Sequence, residues 1–137
     1  TGAVKAVSKA LPELDGKLTG NAIRVPTPNV SLAVMSLTVD KNDLSKEEVN
    51  EFLRKTAFNS KYREIVGFVN STEIVSSDFY SSPFASVIDS QATIVSDNKI
   101  TLYCWYDNEY GYSVQVVNLV KNIAGINLIR LPVKVWY

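Results

Sequence analysis

The 137-residue sequence contains no histidine and only one cysteine. Histidine is the base in most nucleophile–base pairs that work near neutral pH, because its unperturbed pKa is about 6.5. A cysteine–histidine pair therefore cannot be formed from this chain alone. A single cysteine also excludes an internal disulfide and fits a reducing compartment, so we expect a cytoplasmic protein.

Net charge and long apolar runs are also missing. Fourteen basic residues balance fourteen acidic ones, which disfavours a nucleic-acid partner, because such proteins normally carry a basic face. No apolar run reaches the roughly 18 residues of a membrane-spanning helix, and no basic leader precedes an apolar segment. We therefore expect neither a membrane span nor a signal peptide. Length and a hydrophobic content of 46% predict a globular chain of one-domain size.

Hydrophobic periodicity predicts three helices. Apolar residues recur at helical spacing from position 3 to 11, between Thr1, a possible N-cap, and Pro12. Ser45 and Glu48 form a capping box at the start of a second helix. A third apolar pattern covers 114–124 and ends at Gly125, a natural C-cap.

The second helix has an ordinary amphipathic pattern. We expect Val49, Phe52, Leu53 and Thr56 to face the core, while Asn50 and the charged positions face water. A polar linker over 57–64 should follow the helix.

The remaining apolar stretches predict a sheet. A strand over 29–40 is apolar on both faces, as in the middle of a sheet or at a subunit contact. Asp97-Asn98 is a hairpin turn, which indicates antiparallel pairing. The predicted fold class is α+β, with a mostly antiparallel or mixed sheet covered by helices. The other extended segments are predicted at 21–26, 65–69, 73–79, 85–89, 91–96 and 99–106.

The segment 105–113, WYDNEYGYS, joins the last strand to the last helix. It concentrates three tyrosines, a tryptophan, an amide and two carboxylates at a position where loops usually carry small turn residues. A ligand or a partner chain would explain such a cluster. Cys104, just before it, lies among apolar residues and is most simply a packed core thiol.

Four segments of the chain match one known family in order and spacing: 1–7 (TGAVKAV), 18–30 (LTG followed by RVPTPNV), 75–79 (VSSDF) and 105–113 (WYDNEYGYS). Together they closely resemble glyceraldehyde-3-phosphate dehydrogenase. The resemblance extends over about residues 1–125 and implies the later part of the family's catalytic domain. The Rossmann domain, the segment with the nucleophilic cysteine and the segment with the histidine base are not found in this sequence.

The resemblance implies roles for six residues. Thr1 and Gly2 match the pair that binds the attacking phosphate, and a helix N-terminus suits an anion; an ordinary capped helix is the alternative. Arg24 matches the arginine that grips substrate phosphate, although a solvated or salt-bridged arginine would have the same pattern. The cofactor contacts implied are Asn108 on the nicotinamide carboxamide, and Tyr106 and Tyr112 as walls of the nicotinamide pocket.

The resemblance also implies a function. The family oxidises glyceraldehyde 3-phosphate with NAD and inorganic phosphate in glycolysis, and works as a homotetramer. We expect this chain to supply phosphate and nicotinamide contacts, to contain no catalytic residue and no metal ligand, and to need the remaining part of the dehydrogenase. The Rossmann half would decide between NAD and NADP. An alternative hypothesis is a dehydrogenase-derived structural or interaction subunit, because the apolar segment 126–137 is atypical for the family and could anchor a partner.

Overall fold

The structure, a computed structural model, describes residues 2–126, with the backbone alone at positions 3 and 4. It contains helices α1, α2 and α3, strands β1 to β5 and two short 3-10 helices. The predicted segment 126–137 lies outside the described residues except for Ile126. In chain order the elements are α1 Gly2–Ala10, a 3-10 helix Pro12–Leu14, β1 Ser31–Thr38, α2 Lys46–Asn59, β2 Val66–Val69, a second 3-10 helix Ser76–Phe79, β3 Ser86–Asp89, β4 Ile94–Ser96, β5 Lys99–Tyr106 and α3 Tyr110–Ile123.

The five strands form one mixed sheet in the order β1-β5-β3-β2, with β4 also paired to β5. β5 is antiparallel to its partners β1, β3 and β4, and only β2 and β3 are parallel. The predicted hairpin is confirmed: Ser96 pairs with Lys99 across Asp97, which has a φ of 55°. Asparagine and aspartate tolerate this left-handed region better than most residues. The α+β fold class is therefore confirmed.

Each face of the sheet carries its own apolar cluster. On one face, Val49 of α2 packs against Ile88 of β3 and the buried side of β5, whose alternate residues Ile100, Leu102 and Cys104 point the same way. On the other face, the smaller cluster contains Val30, Phe79 and Val87. Cys104 is 2% exposed, which confirms the predicted core thiol.

α2 begins where the sequence predicts. The Ser45 hydroxyl accepts from the Glu48 backbone N–H at 3.1 Å, and the Glu48 carboxylate accepts from the Ser45 backbone N–H at 3.0 Å. The buried positions are Val49 and Ala57, with Leu53 partly buried between them.

Two predictions about the faces of α2 are wrong. Phe52 is 69% exposed instead of facing the core. Asn50 is part-buried instead of solvated, because its side-chain N–H₂ donates to the Ser90 carbonyl at 2.9 Å. The buried face of α2 is therefore turned from the predicted face towards Asn50. The hydrogen bond from Asn50 to the loop after β3 takes the place of the core contact predicted for Phe52. The helix also continues to Asn59, so the predicted linker over 57–64 begins too early.

Replacing Ser45 with alanine is expected to lower the free energy of unfolding by about 1 kcal/mol, because the Glu48 N–H then loses its acceptor. Urea unfolding of the chain measures this loss. The matched variant Ser45→Asp keeps an acceptor at the N-cap and should retain most of the stability. Equal midpoints for the alanine variant and the parent chain would contradict the expectation.

Three strand predictions need correction. Residues 21–26 form no strand in the described part of the chain, because Pro26 and Pro28 interrupt a segment that has no paired neighbour there. Residues 76–79 form a 3-10 helix, because the Asp78 carboxylate accepts from the Val75 N–H at 2.8 Å and favours a local turn. β1 ends the sheet order, so of the two alternatives for this strand the middle of a sheet is wrong, while a subunit contact stays a prediction. Much of its apolar surface is exposed, including Val34 and Met35.

Candidate functional site

The corner between β5 and α3 is built around a buried carboxylate, Asp107, which is 4% exposed. One of its oxygens, Oδ1, accepts from the backbone N–H groups of Glu109 at 3.0 Å and Tyr110 at 2.8 Å. These are donors at the start of α3, where helix N–H groups have no intrahelical partner. The Glu109 side chain makes no capping bond, so Asp107 takes over that role.

The other oxygen of Asp107 holds two distant segments at the corner. Oδ2 accepts from the Asn29 side-chain N–H₂ at 2.9 Å and from the Ser81 backbone N–H at 2.9 Å. Asp107 therefore joins the start of β1, the loop after the second 3-10 helix and the start of α3 in one hydrogen-bonded cluster. We call this set, Asn29, Ser81, Asp107, Glu109 and Tyr110, the Asp107 cluster.

The hydrogen bonds of the cluster lower the pKa of Asp107 from 3.8 to about 2. The largest contributions are the backbone N–H groups of Tyr110 and Ser81, and burial works in the opposite direction. Four donors directed at one carboxylate stabilise its charged form. Asp107 is therefore an ionised structural anchor at neutral pH and not a proton donor.

Two residues at the cluster have backbone conformations that side chains rarely adopt. Ser81, a member of the cluster, has a φ of 58°, and Val30, which follows the member Asn29, has a φ of 70°. For a β-branched residue such as Val30 this conformation is strained, and strain of this kind collects at functional sites. Two of the four described non-glycine residues with a positive φ are thus found in the segments that converge on Asp107; the other two, Asp43 and Asp97, lie in turns elsewhere.

Asn108 follows Asp107 and is exposed. Its side-chain oxygen accepts from the Ser31 hydroxyl at 2.9 Å. With the oxygen engaged, the N–H₂ group of Asn108 can donate to a ligand carbonyl. Primary amides of a ligand offer such a carbonyl, so the chemistry of this position fits the predicted cofactor contact.

Aromatic side chains surround the corner. Tyr106, the last residue of β5, is half-buried, and Tyr112 in the first turns of α3 is 72% exposed. Trp105 stacks on Phe79 with ring centroids 5.3 Å apart, and its indole N–H lies 3.4 Å from Asp89. Trp105 and Phe79 thus belong to the smaller apolar cluster of the sheet, while Tyr106 and Tyr112 keep part of their surface accessible.

The start of α3 lies close to the backbone of the loop before β3. A Cβ atom on the buried Gly111 would be 2.6 Å from the Phe84 carbonyl oxygen. One turn later, the side-chain N–H₂ of Gln115 donates to the carbonyls of Pro83 at 3.0 Å and Glu64 at 3.3 Å. Glycine at position 111 therefore allows the helix to approach this loop closely.

Three of the six predicted site residues, Tyr106, Asn108 and Tyr112, lie between the end of β5 and the first turn of α3. Gly2 opens α1, and Arg24 is exposed in the connection between the first 3-10 helix and β1. Thr1 lies outside the described residues. The cofactor contacts and the phosphate contacts all stay predictions.

The sequence analysis did not single out Asn29, Ser31, Ser81 or Asp107 as site residues. Asn29 lies in the RVPTPNV segment that carries the resemblance, so one signal was available. Nothing in local periodicity pairs residues 78 or 26 positions apart, as Asn29 and Ser81 are from Asp107.

The described residues also bear on two other classes of function, metal binding and membrane insertion. Among residues 2–126, no three histidine, cysteine, aspartate or glutamate side chains are grouped as metal ligands would be. The same part of the chain contains no helix that is both long and apolar enough to cross a membrane.

The fold and the corner define an α+β domain whose strand-to-helix junction carries an exposed amide, Asn108, and two tyrosines, Tyr106 and Tyr112. Residues 1–108 match the family model described as glyceraldehyde 3-phosphate dehydrogenase, C-terminal domain. The chain therefore belongs to the glyceraldehyde-3-phosphate dehydrogenase family of oxidoreductases and corresponds to its C-terminal domain.

Individual relatives agree with this assignment. The chain is 54% identical over 132 residues to a glyceraldehyde-3-phosphate dehydrogenase-like protein of Pseudomonas aeruginosa, which matches 96% of the chain but only 28% of the relative. It is 46% identical over 128 residues to glyceraldehyde-3-phosphate dehydrogenase 2 of Bacillus subtilis, with 90% of the chain and 36% of the relative covered. A chloroplastic glyceraldehyde-3-phosphate dehydrogenase of Arabidopsis thaliana is 47% identical over 125 residues, which are 90% of the chain and 28% of the relative. The chain thus spans about a third of the length of these relatives.

Proposed function

We propose that the chain is part of a phosphorylating, NAD-dependent glyceraldehyde-3-phosphate dehydrogenase, to which it supplies cofactor and phosphate contacts. The observation that carries this proposal is the Asp107 cluster, which fixes the backbone on which Asn108 stands. A rigid support for an exposed amide is what a cofactor contact requires.

NAD would lie against the corner. Asn108 would donate its N–H₂ group to the nicotinamide carboxamide, and Tyr106 and Tyr112 would line the ring. The bound cofactor supplies the hydride acceptor of the reaction. The protein's own contribution here is orientation, because a fixed amide selects which face of the ring is presented to the substrate.

Phosphate would lie against Thr1, Gly2 and Arg24. Gly2 begins α1, and the backbone N–H groups of a first helical turn have no intrahelical acceptor, which favours an anion. The exposed guanidinium of Arg24 can bind a phosphate through two parallel hydrogen bonds. In the proposed function these residues hold the inorganic phosphate and the phosphate of glyceraldehyde 3-phosphate.

The chain alone should be inactive. It has no histidine to act as base, and its one cysteine has neither the exposure nor the acidity of a nucleophile. Cys104 is 2% exposed, and burial raises the pKa of its thiol. A reactive cysteine instead has a lowered pKa and an accessible sulfur. The nucleophile and the base would come from the remaining part of the dehydrogenase.

The proposed partners are that remaining part and further copies in a homotetramer. Exposed apolar residues on β1, such as Val34, and on α3, such as Ile123, offer surface for such contacts. We also propose a cytoplasmic location, although one relative is named chloroplastic. The division into a partial catalytic domain, 1–125, and an apolar tail, 126–137, is a further part of the proposal.

Combining the purified chain with the missing part of the dehydrogenase tests the function. NADH formation from glyceraldehyde 3-phosphate, phosphate and NAD should appear in the assembled sample and be absent from either part alone. Size-exclusion chromatography establishes whether assembly has occurred. A well-assembled complex without turnover would contradict the proposal and would favour a structural subunit derived from the dehydrogenase.

A further inference from the structure

Ser31 makes the hydrogen bond that sets the orientation of the Asn108 side chain. Its hydroxyl donates to Asn108 Oδ1 at 2.9 Å, between residues 77 positions apart. Ser31 is the first residue of β1 and pairs with Tyr106, so the strand register itself brings it to the corner. Among the described residues, this is the one side-chain hydrogen bond made to Asn108.

The backbone that carries Ser31 is restrained on its preceding side. Val30 is buried and has a φ of 70°, and Asn29 is bonded to Asp107. The side chains before and after Val30 therefore contact the consecutive residues Asp107 and Asn108. This arrangement gives the Ser31 hydroxyl a defined position relative to the corner.

An exposed asparagine without a partner can rotate its amide and exchange the positions of its oxygen and nitrogen. In the observed orientation the Ser31 hydroxyl donates to the amide oxygen and holds the side chain in one rotamer. After an exchange of oxygen and nitrogen, the hydroxyl would have to accept from the N–H₂ group instead. The orientation with the hydroxyl as donor leaves the N–H₂ group to face a ligand. Binding a ligand to a side chain that is already ordered costs less entropy than ordering it on binding.

We infer that Ser31 is a positioning residue for the nicotinamide cofactor, acting through Asn108. The inference rests on the proposed function, because it assumes that Asn108 donates to the carboxamide. It adds a specific residue and a direction: Ser31 donates to the Asn108 oxygen, which leaves the Asn108 nitrogen to donate to the cofactor.

A double-mutant cycle in the assembled dehydrogenase tests this role. Ser31→Ala should raise the KM for NAD roughly 3- to 10-fold, which is the effect of one hydrogen bond, with kcat and the KM for glyceraldehyde 3-phosphate unchanged. Asn108→Ala should raise the KM for NAD at least as much. The double variant should match Asn108→Ala alone, because Ser31 has no route to the cofactor once the amide is gone.

Two control variants separate positioning from general structure. Ser31→Thr keeps the hydroxyl on a residue suited to a strand, and it should restore the KM for NAD. Ser36→Ala makes the same replacement at an exposed position of β1 and should leave the KM for NAD unchanged. Thermal unfolding should give the same midpoint for all four single variants and the parent.

The outcomes distinguish the inference from the proposed function. An unchanged KM for NAD in Ser31→Ala together with a raised one in Asn108→Ala would overturn the inference and leave the proposed function intact. Additive effects in the double variant would also overturn it, because the two residues would then act independently. An unchanged KM in both single variants would refute the cofactor contact itself, and the inference with it.

Discussion

Replacing Asp107 with alanine is expected to lower the thermal midpoint of the chain by more than about 5 °C. The variant removes the acceptor of four hydrogen bonds, two from backbone N–H groups at the start of α3 and two from Asn29 and Ser81. Buried donors that lose their acceptor destabilise a protein more than a missing exposed contact does. In the assembled dehydrogenase, the KM for NAD should rise as well, because Asn108 loses its support.

The pH dependence of stability provides a second measurement on the same residue. The pKa of Asp107 is lowered from 3.8 to about 2, so the carboxylate contributes its full stabilisation above about pH 4 and loses it as the pH falls towards about 2. Asp107→Asn should therefore flatten the curve of unfolding free energy against pH in that window. Urea unfolding at several pH values measures the difference between variant and parent.

A matched control is Asp40→Ala, which removes an exposed aspartate from the turn after β1. Its thermal midpoint should stay close to that of the parent chain. If Asp107→Ala were as stable as Asp40→Ala, the Asp107 cluster would not be the anchor of the corner. The proposed route from Asp107 to Asn108 would then have to be abandoned.

Replacing Gly111 with alanine is expected to destabilise the chain by about 1–3 kcal/mol, the usual cost of overpacking a filled site. The new Cβ would lie 2.6 Å from the Phe84 carbonyl oxygen and 3.4 Å from that of Ser82. Both atoms belong to backbone, so a side-chain rotation cannot relieve the contact. Alanine is favoured over glycine in a helix by up to about 1 kcal/mol. A net loss of stability in Gly111→Ala would therefore mean that the steric cost exceeds this gain.

Gly67 provides the comparison for Gly111, because it contacts the same residue in a different way. A Cβ at Gly67 would meet side-chain atoms, 2.9 Å from the Phe84 ring and 3.0 Å from Val87. Side chains can shift more easily than backbone, so Gly67→Ala should lose less stability than Gly111→Ala. Urea unfolding of both variants tests this order, and a reversed order would show that α3 does not depend on the close approach to Phe84.

Local sequence signals predicted the elements that depend on neighbouring residues. The capping box at Ser45 and Glu48 placed the start of α2, and Asp97-Asn98 placed the hairpin between β4 and β5. These features have a spacing of a few residues, so they are readable without knowledge of the fold.

Other features could not be predicted, because they depend on partners far away in the chain. A strand needs a neighbouring strand to pair with. In the described part of the chain, residues 21–26 have no such neighbour, and β1 has a neighbour on one side alone, which is β5. The exposure of Phe52 follows from the hydrogen bond that turns Asn50 inwards, towards Ser90. An amphipathic pattern sets the width of an apolar face, but the packed neighbours decide its centre.

The segment from Trp105 to Ser113 shows both contributions. The sequence alone determined that it joins a strand to a helix, that it is rich in aromatic and amide groups, and that it carries a dehydrogenase motif. Only the tertiary structure decided that Asp107 is its anchor and that Ser31 contacts Asn108. The reason is physical: a buried carboxylate needs several donors, and here two of the four come from segments that meet it only when the sheet and its loops have formed.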